Sequence, residues 1–253
     1  MEEEKQKDVF IQNCRVAYSD VGMDGCLKPV AALNFCQDVA SRHAFALGVS
    51  ALHMEAWNKI WVVHRYHFDF YRFPRWDEIF SIRSWRAPVR RLYEMRRFVF
   101  LDAHEKPLME STCAWVLVDR KTGKPARLDR AMPAHLCAGE VDIPFDFEDI
   151  PPPDSQAERL CFQVLQDDMD YNRHANNAAY LRWAMEALPP ARLFPCCIRK
   201  LDIRYHHDIG PLESLEVQTS RQEHAERKET WIQAIRHGDT GSLLAGLRME
   251  LAF

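Results

Sequence analysis

Between residues 170 and 174 the chain reads D-Y-N-R-H, so Asp170, Asn172 and His174 occupy every second position just ahead of a helical pattern. In an extended segment that alternation sends all three side chains to one side. A carboxylate, a carboxamide and an imidazole then share one small volume, the set of groups that can hold and deprotonate a water or polarise a carbonyl. Asn176 or Asn177 is a suitable N-cap. Tyr180, Trp183, Ala184, Ala187 and Leu188 recur behind it at helical spacing until Pro189 and Pro190 close the run. A helix start offers unpaired backbone N–H groups and a partial positive charge, both suited to a developing oxyanion. The same residues also make a self-satisfied loop-and-cap network, so residue types and spacing leave both readings open.

Periodicity supplies the elements that must position these groups. A short strand is expected over 14–23, a turn at Asp24-Gly25, and a helix over 29–47 with Pro29 in its first turn and Val30, Leu33, Cys36, Val39 and Ala40 on its buried stripe. Alternating segments at 61–73, 78–86, 91–101 and 108–119 predict a meander of antiparallel strands. The second half gives the same order of elements: a strand at 160–166, the helix at 177–188, then strands at 198–207, 213–220, 228–237 and 242–252. Aligning the halves sets Met23-Asp24 on Met169-Asp170, Phe68-x-Phe70 on Ile203-x-Tyr205, and Glu78-x-Phe80 on Glu213-x-Leu215. In that register Cys26 and Lys28 stand where the second half has Asn172 and His174, which confines the chemistry to the second half. Six acidic residues and four prolines within 138–157 mark a stiff, extended linker along the surface.

With 253 residues, 47% hydrophobic, the chain can bury one large core or two of ordinary size. A net charge of −4 argues against nucleic acid as the partner. Eight cysteines include no C-x-x-C pair and are expected to be buried small hydrophobes. His206 and His207 are adjacent, so on a strand they point to opposite faces, and no Cys or His with ligand spacing joins them. No metal and no cofactor is expected. MEEEKQKD at the start has no apolar stretch and no apolar run approaches a membrane span, so a cytoplasmic, membrane-free protein is expected.

The run D-Y-N-R-H-A-N-N-A-A-Y-L-R-W, Asp170 to Trp183, closely resembles the signature D-x-N-x-H-x-N-N-x-x-Y-x-x-W of the acyl-acyl-carrier-protein thioesterases. That resemblance implies an α+β fold of two tandem hot-dog repeats, each a long helix wrapped by an antiparallel sheet. The division would be an N-terminal repeat at 1–137 that binds the acyl chain, the 138–157 linker, and a catalytic repeat at 158–253. It also implies a thioesterase that releases fatty acid from acyl carrier protein, with Trp61 and Phe68 against the acyl chain and Asn177 and Tyr180 against the substrate. The family pattern Y-x-x-E-C falls on Tyr205 to Ile209, where this chain has Asp208 and Ile209. A cysteine nucleophile is therefore ruled out there, and the carboxylate is withdrawn by one methylene, roughly 1.5 Å.

On this reading Asp208 is the general base on water, Asn172 and His174 place water and thioester, Asp170 holds the loop, and the helix start near Asn177 takes the oxyanion. Asp170 as base or nucleophile is the rival assignment, as in single-repeat hot-dog thioesterases. Acyl-CoA hydrolysis and non-catalytic binding of an acyl thioester are the rival functions. An acidic carrier protein needs a basic surface, and Arg83, Arg86, Arg90, Arg91, Arg96 and Arg97, with Arg182, Arg199, Lys200 and Arg204, are its candidates. The protein is expected as a monomer or a homodimer.

Overall fold

The computed structural model describes residues 9–88, 92–132, 147–189, 192, 197–225 and 228–253. Its strands are β1 (Val9–Arg15), β2 (Lys59–Phe70), β3 (Ile79–Pro88), β4 (Tyr93–Leu101), β5 (Pro107–Asp119), β6 (Glu158–Gln163), β7 (Ile198–Tyr205), β8 (Ser214–Ala225), β9 (Lys228–His237) and β10 (Leu243–Ala252). Its helices are α1 (Pro29–Ala46), α2 (Ala51–Ala56), α3 (Leu128–Ala131) and α4 (Asn177–Glu186). All ten strands form one antiparallel sheet in the order β1-β3-β4-β5-β2-β7-β10-β9-β8-β6. Read inward from its own edge, each half uses the same order: first strand, third, fourth, fifth, second. The halves meet where β2 pairs with β7, Tyr66 opposite Ile203 and Phe68 opposite Leu201.

Alternation decides which face is buried. On β2, Tyr66, Phe68 and Phe70 turn inward as a ladder of stacked rings, while Arg65, His67 and Asp69 face outward. The inward faces of both halves pack on α1 and α4, which also pack on each other, and one continuous core results. Pro29 sits at the first position of α1, and Leu33, Cys36, Val39 and Ala40 form its buried stripe. α4 begins at Asn176, whose side chain accepts from the Ala178 N–H at 2.9 Å. It stops at Glu186, two residues sooner than the apolar spacing suggests, with Ala187 as its C-cap.

The first strand is the clearest departure from expectation: it spans Val9–Arg15, not 14–23. Val16 ends it by donating to the Glu78 carbonyl at 3.0 Å, and residues 18–20 form a single 3-10 turn. β7 also stops at Tyr205, leaving His206 and His207 in the loop beyond it. Of the linker, residues 147–157 are described and carry no strand or helix; 138–146 lie outside the described residues. Arg65 donates to the Phe147 and Glu148 carbonyls at 3.3 and 3.1 Å, and Arg248 pairs with Glu148, so this stretch is tied across the outer face near the β2–β7 seam.

The strand alignment between halves holds. Val16 N to Glu78 O (3.0 Å) has its counterpart in Val164 N to Glu213 O (2.9 Å), and Leu27 N to Pro74 O (2.9 Å) in Ala175 N to Ile209 O (3.1 Å). The loop alignment shifts by two residues. The isolated bridge Val21–Leu27 matches Met169–Ala175, and the positive φ of Gly25 (72°) matches that of Arg173 (66°). Cys26 therefore stands at the position of His174, and Asp24 at that of Asn172. The sequence register failed here because the Met-Asp pair shared by the two loops sits two residues out of step with the backbone turn that is common to both.

Candidate active site

The loop before α4 is a tight turn closed by its own first carboxylate. Asp170 Oδ1 accepts the Asn172 N–H at 2.7 Å and the His174 N–H at 3.4 Å, and Asp170 Oδ2 accepts Asn172 Nδ2 at 3.4 Å. Asp170 N donates back to the His174 carbonyl at 2.9 Å. The carboxylate can only accept, so it fixes the Asn172 amide with Oδ1 turned away from it. That Oδ1 is buried and has no hydrogen-bond partner among the described residues. A buried acceptor left unmatched costs about 1–3 kcal/mol, so this loop holds a costly acceptor at the cavity wall rather than relaxing to satisfy it.

Asp208 arrives from the other side, on the loop after β7, and its Oδ2 lies 3.4 Å from His174 Nδ1. Two tyrosines set that loop. Tyr180, on α4, donates from its hydroxyl to the His207 carbonyl at 3.2 Å, and Tyr205 donates to the Asn177 carbonyl at 3.0 Å. Burial, with the Asp208 carboxylate adding to it, raises the Tyr180 pKa, so this hydroxyl stays protonated and remains a donor. The imidazole and carboxylate are 48% and 59% exposed, which puts them at the mouth of a cavity of about 1130 Å³. Asp170, Asn172 and Asn177 line the same cavity.

Gln37, on α1, is a site residue that the spacing of the motif does not reveal. Its Nε2 donates to Asn176 Oδ1 at 3.0 Å and its Oε1 accepts from Asn177 Nδ2 at 3.0 Å, so the first half clamps the α4 tip of the second. Asn176 Oδ1 takes the Ala178 N–H and Asn176 O takes the Ala179 N–H. The Asn177 N–H is thus the first-turn donor left without a partner among the described residues. A polar residue interrupting the buried stripe of α1 was the one available signal in the sequence.

The predicted substrate-contact residues divide. Asn177 and Trp61 line the cavity, Trp61 with its Nε1 donating to the Val49 carbonyl at 2.9 Å. Phe68 does not: it is 0% exposed, stacked between Tyr66 and Phe70 in the central core, because its place in the β2 alternation faces the helices deep at the seam. Tyr180 is likewise buried and acts on the Asp208 loop, not on the cavity. The arginine run is not a free positive patch. Arg83, Arg86 and Arg97 pair with Glu105, Glu94 and Glu110, and Arg96 is buried; Arg90 and Arg91 lie outside the described residues. Among the described residues no cluster of His, Cys, Asp or Glu could hold a metal ion, and no helix is long and apolar enough to cross a membrane.

A sheet of this order packed on α1 and α4 is the hot-dog fold of solved thioesterases. An acyl-ACP thioesterase from Bacteroides thetaiotaomicron superposes with a TM-score of 0.81 at 20% identity, covering 97% of this chain and 98% of its own. The 12:0-ACP thioesterase of Umbellularia californica gives a TM-score of 0.79 at 20% identity, covering 96% of this chain and 93% of its own. The family model of the acyl-ACP thioesterase N-terminal domain matches residues 7–136, and that of the C-terminal domain matches residues 152–245. The chain therefore belongs to the acyl-ACP thioesterase family. It is 25% identical over 221 residues to the chloroplastic oleoyl-acyl carrier protein thioesterase of Coriandrum sativum, 80% of this chain and 58% of that one. It spans about half the length of the curated relatives it matches.

Proposed function

We propose that this protein hydrolyses acyl-acyl-carrier-protein to a free fatty acid and the carrier protein. The observation that carries the proposal is the convergence of Asp170, Asn172, His174 and Asp208, from two separate loops, on one cavity at the tip of α4. Family membership supports the same reading, as does the presence of acyl-ACP thioesterases among the solved structures of similar fold. The shared strand order of the two halves supports two tandem hot-dog repeats, divided as 1–137 and 158–253 by the 138–157 linker. The first repeat contributes the acyl pocket and the second contributes the catalytic groups.

In the mechanism, a water at the Asp208–His174 pair attacks the thioester carbonyl carbon while Asp208 takes its proton. The oxyanion that forms is held by the Asn177 N–H at the positive end of α4. Collapse of the tetrahedral intermediate breaks the C–S bond, and the departing thiolate takes the proton back from Asp208. Asp170 is a positioning residue for Asn172 and His174, since its carboxylate is occupied by the N–H groups of its own loop.

Thiol release from matched acyl-carrier-protein and acyl-CoA thioesters tests the reading. Faster hydrolysis of the carrier-protein substrate is expected. A preference for CoA would replace the carrier protein as partner, and binding of either thioester without thiol release would leave a non-catalytic acyl-binding protein.

A further inference from the structure

The cavity is lined by exposed His174 and Asp208, by Gln37, Asp38 and Ser41 on α1, by Trp61 and Trp115 on the sheet, by exposed Arg120 and Gly123, and by the buried side chains of Glu94 and Arg96. A thioester lies with its carrier on the outside, so the buried part of the wall receives the acyl chain. That part is not apolar. Arg96 is 2% exposed and faces inward on β4 in line with Phe98 and Phe100. Its Nη1 donates to His43 Nδ1 at 2.9 Å and to Ser84 Oγ at 3.1 Å. Glu94 is no hydrogen-bond partner for it: Oε1 lies 3.8 Å from Arg96 Nη2, and the carboxylate is instead held bidentately by Arg86 at 2.8 and 2.5 Å. The Nε and Nη2 N–H groups of Arg96 thus have no hydrogen-bond acceptor among the described residues.

We infer, resting on the thioesterase reading, that the buried part of the cavity wall around Arg96 selects an acyl chain bearing a neutral oxygen, a hydroxyl or keto group, which accepts a hydrogen bond from Arg96. A hydrocarbon end there would cover the unmatched donors of a buried guanidinium, which is among the costlier ways to desolvate a polar group. An oxygen on the chain removes that cost. A carboxylate is the wrong match, because Asp38 and Glu94 line the same space. Rejection of a chain that lacks the matching oxygen follows the general rule that sites built to hydrogen-bond discriminate strongly against analogues that cannot.

The test uses the full chain with decanoyl thioesters of acyl carrier protein, plain and with a hydroxyl moved along the chain, read by thiol release. At one hydroxyl position kcat/KM is expected to exceed that of the plain chain by about tenfold or more, and Arg96→Met is expected to abolish that advantage. Should Arg96→Met fail to fold, titration of the unmodified protein with decanoic and hydroxydecanoic acids, followed by intrinsic tryptophan fluorescence, to which Trp61 and Trp115 in the cavity wall contribute, gives an independent reading, with the hydroxy acid binding more tightly. Equal or better handling of the plain chain at every hydroxyl position overturns the inference and leaves the thioesterase intact. If no thioester is cleaved, the hydrolytic reading fails on its own. The titration then decides the inference, tighter hydroxy-acid binding supporting it and equal binding overturning it.

Discussion

Replacing Asp208 with Asn separates the catalytic from the structural carboxylate. Asp208 and His174 are 3.4 Å apart but about half exposed, so their attraction is screened and contributes on the order of 0–1 kcal/mol to stability. Losing it should shift the thermal midpoint by no more than about 4 °C. As general base, by contrast, the group contributes about a hundred- to ten-thousandfold in rate, roughly 3–5 kcal/mol of barrier. Asp208→Asn is therefore expected to lose most of kcat with a nearly unchanged melting curve. Asp170→Asn is expected to do the reverse in proportion. It weakens the acceptor for the Asn172 and His174 N–H groups, costing about 1–2 kcal/mol of stability in a part-buried loop, and lowers kcat only as far as the loop loosens. Thiol-release kinetics beside thermal denaturation of both variants provide the measurement. If Asp208→Asn keeps more than half the rate while Asp170→Asn abolishes it at an unchanged midpoint, the roles are inverted and Asp170 is the base.

Gln37→Leu removes both amide contacts to Asn176 and Asn177 at nearly constant volume; kcat/KM is expected to fall about tenfold, in line with loss of one to two neutral hydrogen bonds, and urea titration should show a smaller change in stability. Phe68→Ala should cost about 3–5 kcal/mol in denaturant unfolding because it opens a cavity in the central core, and an unchanged unfolding midpoint would return Phe68 to the substrate pocket. His67 bridges Asp202 (2.7 Å) and Asp69 (3.1 Å) on the outer face of the β2–β7 seam. Burial alone would lower its pKa, yet the hydrogen bonds and charges of the two carboxylates outweigh burial and raise it from 6.5 to about 9. A raised folded-state value means that stability from this group is complete below about pH 6.5 and is lost as pH rises through about 9, by up to roughly 3 kcal/mol. Denaturation midpoints across that window should fall in the parent protein and stay flatter in His67→Gln.

What the sequence determined by itself was whatever depends on neighbours along the chain. Asp170, Asn172 and His174 are brought together by a five-residue turn, α4 is started by the Asn176 cap, and the inward ladder of Tyr66, Phe68 and Phe70 follows from alternation alone. Short-range hydrogen bonds and periodicity are written locally, so spacing reveals them. The tertiary structure decided everything that needs two distant segments at once. It brought Asp208 to His174 across 34 positions, carried Gln37 from the first half to the tip of α4, and paired Arg86 on β3 and Arg97 on β4 with carboxylates on neighbouring strands. Alternation gives each strand two faces without saying which of its inward positions meets open space. Sheet register and the packing of α1 settle that, which is why Phe68 ended in the core while Arg96 reached the cavity.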